Sequence, residues 1–129
     1  MTYIWDNHMR RRLYLPGSVL TVPGDFPLVT HFFTVDFEGY GTWNEWGIQS
    51  VPETGVALAP LAPIVRNKRV TEVFRPQTPD VAYLVVARMR SKLGLPYDLR
   101  FANCEHVVRW AVTGRWESLQ VENLRRAFR

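Results

Sequence analysis

The sequence predicts an α+β fold, an antiparallel sheet of about five strands packed against two to three helices. Three observations carry this. Short β-branched and aromatic runs bounded by glycine and proline fill the first two-thirds of the chain. Apolar residues at helical spacing appear only after residue 78. A chain of 129 residues with 47% hydrophobic and 13% aromatic side chains can bury one core, so residues 1–129 are read as a single domain.

The strands come first: "GSVLTV" (17–22), then "LVTHFFTVDF" (28–37), then "TWNEWGI" (42–48) after the turn-like "EGYG". "GVALAP" (55–60) and "RVTEVF" (69–74) follow at the spacing of an antiparallel meander. In "TPDVAYLVVARMRSKLG", Thr78 can cap, Pro79 suits the first helical position, and Val81, Leu84, Val85 and Met89 repeat at helical spacing up to Gly94, which predicts a helix near 78–93. A second helix, near 103–113, starts at the N-cap residue Asn103 and stops at Gly114. Its apolar stripe is Cys104, Val107, Val108, Ala111 and Val112, while Glu105 and His106 fall off that stripe, to hydrogen-bond around the site or sit at its rim; Arg109 reads as solvated.

Composition excludes several classes of function. A single cysteine rules out an internal disulfide framework and any cysteine cluster for zinc or iron–sulfur. No run approaches the roughly 20 apolar residues of a membrane span, and "MTYIWDNHMRRR" reverses the order of a signal peptide, so the expectation is a soluble or cytoplasmic chain. The net charge of +4 gathers at Arg10, Arg11, Arg12, Arg125, Arg126 and Arg129. Basic termini suit an anionic membrane surface. Nucleic acid is disfavoured, since Tyr40, Trp43 and Trp46 lack any RNA-binding fingerprint and could equally line a groove beside Cys104.

Cys104 is the chemically informative residue. A cysteine on an apolar stripe is often packing material, but the first turn of a helix carries unpaired N–H groups and partial positive charge, which favour thiolate and can hold an oxyanion. A nucleophilic thiol also wants an imidazole base. His8 lies in a basic N-terminal stretch, and His106, two residues beyond Cys104, points about 200° away from it. His31 shares a strand face with Phe33, Val35 and Phe37, an apolar row in which an imidazole needs a reason.

Read together, "NCEHVVRWAVTGRWESLQV", "LPGSVLTV" and "THFFTVDFEG" resemble the lecithin retinol acyltransferase-like family over roughly residues 13 to 121. In that family an Asn-Cys-Glu-His-Phe signature leads into a helix, a glycine and a Ser-x-Gln-Val segment, matched here by Gly114, Ser118, Gln120 and Val121. The resemblance implies a circularly permuted papain-like fold, with Cys104 as nucleophile, His31 as base and a thioester intermediate. It also implies a lipid ester or other acyl-bearing small molecule as substrate, and no metal or other cofactor. Val107 stands where the family usually has phenylalanine, and the usual second histidine, about a dozen residues past the first, is missing. If the hairpin turns near Asp36 to Gly39, residues 42, 44 and 46 share the face of His31, which selects Asn44 as the residue orienting the ring, with Glu45 as the alternative. A cell-wall-type thiol peptidase or amidase, and a non-catalytic binding module keeping the fold, are the competing functions.

Overall fold

Five runs of alternating apolar residues build the main sheet, with order β6-β5-β4-β3-β7 and every neighbouring pair antiparallel. They are β3 (Val19–Pro23), β4 (Thr30–Val35), β5 (Trp46–Val51), β6 (Gly55–Pro60) and β7 (Thr71–Phe74). The computed structural model describes residues 2–6, 9–24 and 29–122. Within them, β1 (Thr2–Asp6) and β2 (Met9–Leu13) form a separate two-stranded hairpin that the sequence reading did not anticipate. His8 lies outside the described residues.

The meander expectation holds for β3 to β6 and fails for β7, which returns to pair with β3. The return follows a helix that the reading also missed, α1 (Leu61–Val65), a single short turn with no side-chain cap. The other two helices match their local signals. In α2 (Pro79–Ser91) the Thr78 hydroxyl accepts from Val81 N–H. In α3 (Cys104–Thr113) the Asn103 side chain accepts from His106 N–H, His106 Nδ1 accepts from Asn103 N–H, and Gly114 closes the helix in the left-handed region at φ 78°. These reciprocal bonds satisfy orphan amides at the start of α3 and fix where Cys104 sits.

Strand alternation divides the core into two layers. On one face Val19, Ile48 and Val56 meet Val85, Met89, Val107 and Ala111 from α2 and α3. On the other, Leu20, Val22, Phe33 and Val35 meet Leu61 and Ile64 of α1. The row containing His31 therefore faces α1, not the pair of long helices. Among the described residues no helix is long and apolar enough to cross a membrane.

Candidate functional site

The β4–β5 ladder runs through Val35↔Gly47, Thr34↔Ile48 and Phe33↔Gln49, and ends there. Past that point β4 takes its partners from elsewhere. The Phe32 N–H donates to Cys104 Sγ at 3.4 Å, and the thiol lies 3.9 Å from the Thr30 carbonyl. Cys104 thus reaches the end of β4 through the gap left where the two strands stop pairing. His31, one residue from both Thr30 and Phe32, presents its ring on the α1 face, where His31 Nε2 and Gln49 Oε1 are 2.9 Å apart. The imidazole also stacks on Phe33, with centroids 5.6 Å apart.

Cys104, His31, Gln49 and Tyr97 line a single cavity of about 410 Å³, a volume in the range of small-molecule sites. Four prolines, Pro23, Pro52, Pro60 and Pro63, stiffen its wall.

Asn44 does not occupy the position expected of it. It is exposed in the 37–45 loop, where its N–H donates to Thr42 Oγ1, and Gln49 takes the place beside the ring. The cause is register. Asp36 N–H already donates to the Trp46 carbonyl, and the intervening residues form a folded loop rather than a short hairpin turn. Pairing of Phe33 with Gln49 puts odd-numbered residues of β5 on the His31 face, where a turn near Asp36 to Gly39 would have put residues 42, 44 and 46. Glu45, the alternative, is buried beyond the Val35↔Gly47 pair, which itself lies about four residues or ~13 Å along β4 from His31. Tyr40 and Trp43 belong to the same loop, away from Cys104, and are 43% and 51% exposed.

The electrostatics of Cys104 also differ from expectation. Burial, the largest influence, pushes the thiol above its ordinary value. The N–H groups of Phe32, Glu105 and Cys104 itself pull it down, and the Glu105 carboxylate adds a smaller upward push. The upward influences win, so the resting group is a thiol and not the pre-activated thiolate that helix position alone suggested. Tyr97, which the sequence reading passed over, is raised by burial and by the charges of Cys104 and Asp98, which keeps its hydroxyl protonated and able to donate. Nothing in its local pattern marked it, because a bridge between Asp98 and Ala102 turns the chain beside it.

Glu105 and His106 lie in the interior, 2% and 5% exposed, instead of at a rim. The Glu105 carboxylate accepts from Ser118 Oγ at 2.6 Å, Gln120 N–H at 2.9 Å and Arg109 Nε at 2.8 Å. Arg109 is accordingly paired and not free in solvent, with Glu117 as a second partner at 3.7 Å. Burial alone would raise the Glu105 carboxyl, but the Gln120 and Ser118 bonds and Arg109 together hold it below its usual range. Gln120 passes the link on, since its side-chain amide accepts from Thr30 N–H at 3.0 Å and donates to the Thr30 carbonyl at 3.3 Å. The residues flanking Cys104 are therefore tethers: Asn103 and His106 shape the helix start, and Glu105 binds it through Gln120 to the strand that carries His31.

Comparison with protein-family models finds none that matches this chain, and a search of curated proteins finds no match.

Proposed function

We propose that the protein is a cysteine-dependent acyl-transfer enzyme, a transferase or hydrolase acting on a lipid-like ester, with Cys104 as nucleophile and His31 as base. The reading places the chain with the lecithin retinol acyltransferase-like enzymes and takes the sheet and α3 as a circularly permuted papain-like arrangement. The observation that carries it is the convergence of Cys104 and the His31–Gln49 pair on the wall of one cavity.

With Gln49 Oε1 as acceptor, His31 Nε2 holds the ring proton and Nδ1 is the basic nitrogen. His31 Nδ1 takes the Cys104 proton as sulfur bonds to the ester carbonyl carbon. The carbonyl electrons move onto oxygen, and the first-turn N–H groups of α3 that face the sulfur stabilise that charge. The C–O bond then breaks, and the leaving alkoxide takes the proton from the imidazolium. Water or an amine, losing a proton to His31, attacks the resulting thioester and regenerates the thiol. A thiol raised by burial fits a mechanism in which the proton moves only when substrate arrives.

Incubation with p-nitrophenyl hexanoate, followed by intact mass and peptide mapping, tests this. The expected result is a hexanoyl adduct on Cys104, absent in Cys104→Ala and formed at least 100-fold more slowly in His31→Ala. A Cys104 that is alkylated by iodoacetamide but never acylated would instead make the domain a binding module.

A further inference from the structure

We infer that the cavity selects acyl compounds carrying an anionic group, and that Lys68 is the residue that selects them. The inference rests on the acyl-transfer reading and adds the charge of the substrate to it. The wall is mostly apolar, with Val29, Val51 and Ile64 beside the four prolines, which suits a hydrocarbon chain. Among the described residues that line it there is no carboxylate. Lys68 is the one lysine or arginine among those described lining residues.

Lys68 makes no ion pair among the described residues. Two of the buried acids are committed elsewhere, Asp36 to Arg90 and Glu105 to Arg109. The backbone holds Lys68 in place: after α1, Arg66 N–H donates to the Ala62 carbonyl, Asn67 takes a left-handed conformation at φ 58°, and Lys68 N–H donates to the Val65 carbonyl at 3.1 Å. Asparagine is among the few residues that tolerate that conformation. The turn brings a cation with no ion pair among the described residues back over an apolar cavity that has a thiol in its wall. A cation so placed raises the local concentration of anionic ligands and pairs with a carboxylate or phosphate better than with a neutral group of the same shape. Lys68 is exposed, so solvent moderates the gain to about fivefold in affinity.

Two measurements test this. In the first, kcat/KM is compared for p-nitrophenyl hexanoate and the p-nitrophenyl monoester of adipic acid, which differ by a terminal carboxylate. Wild type is expected to favour the anionic ester about fivefold; Lys68→Arg keeps the preference, Lys68→Ala loses it and Lys68→Glu reverses it. In the second, octanoate is expected to slow alkylation of Cys104 by iodoacetamide at a concentration where octanamide does not, and Lys68→Glu removes the protection. The second measurement needs no turnover. If neither ester acylates Cys104, the acyl-transfer reading fails while protection still decides the role of Lys68. Equal use of both esters by wild type, or a preference or protection that survives Lys68→Glu, overturns the inference.

Discussion

The two faces of the five-stranded sheet are covered very unequally. One lies under α2 and α3, 13 and 10 residues long, and its core residues Ile48, Val85, Met89 and Val107 are at most 1% exposed. The other lies under α1, five residues long, and its edge is looser, with Ile64 at 8% and Tyr14 at 9%. Toward the end of α1, Pro63 and Ile64 line the cavity, Ile64 while still packed in the core. The same strands thus serve packing on one side and a site on the other, and the thiol crosses between them through the gap at the end of the β4–β5 ladder. A long helix over the second face would have left no room for the cavity.

The largest way to break this contrast is to cut matching holes in both faces. Met89→Ala, at a fully buried position on α2, is expected to destabilise the fold by about 4 kcal/mol, because close neighbours cannot collapse into the space. Ile64→Ala should cost about 2 kcal/mol, since it enlarges a cavity already present. Urea unfolding of the two variants checks this; equal losses would mean that both faces are closed cores.

Next in size is the tether across the gap. Glu105→Gln removes a buried carboxylate that serves three donors and should lower stability by about 2 kcal/mol at pH 7. The pH dependence gives the sharper test. The Glu105 carboxyl sits below its ordinary range in the fold, so its contribution is present at neutral pH and is lost as pH falls through about 4.3, the unfolded value, toward the lower folded one. Asp36, also held low because Arg90 and the Glu38 N–H outweigh burial, acts in the same direction. Wild type should lose stability steeply in acid, and Glu105→Gln should flatten part of that slope. Parallel profiles for the two proteins would remove Glu105 from the account.

What the sequence made legible follows from the range of the forces involved. Both long helices were readable because their signals are local: Thr78 and Asn103 cap, and Gly114 stops. Cys104 and His31 were paired through the family resemblance and not through local pattern, and both line one cavity. The loop from 37 to 45 was not legible, because its shape depends on distant partners. Arg90, 54 residues away, holds the Asp36 carboxylate in a bidentate pair. Gly39, at φ 74°, comes so close to Asn44 that an added Cβ would lie 1.8 Å from its carbonyl oxygen. Strand parity cannot be counted through such a loop, and one odd step moves every side chain of β5 to the other face. α1 was hidden for a different reason, as five residues containing a proline and no cap carry too little periodicity to read.

The finest test of the contrast concerns the two amides, one predicted and one found. Gln49 comes from β5 on the α1 face and meets the imidazole at 2.9 Å, while Asn44 stays in the loop at the far end of the ladder. An orienting amide fixes tautomer and ring angle but transfers no proton, so its loss should cost less than loss of the base. Gln49→Ala is expected to lower the rate of Cys104 acylation about tenfold, or ~1.4 kcal/mol in the barrier. Gln49→Glu keeps an acceptor at the ring, adds a negative charge that stabilises imidazolium, and should shift the acid limb of the rate profile upward in pH. Asn44→Ala should stay within about twofold of wild type, as expected for an exposed side chain. The reverse ranking, with Asn44→Ala crippled and Gln49→Ala near normal, would mean that the loop closes onto the imidazole during turnover and that the face under α1 is completed only with substrate bound.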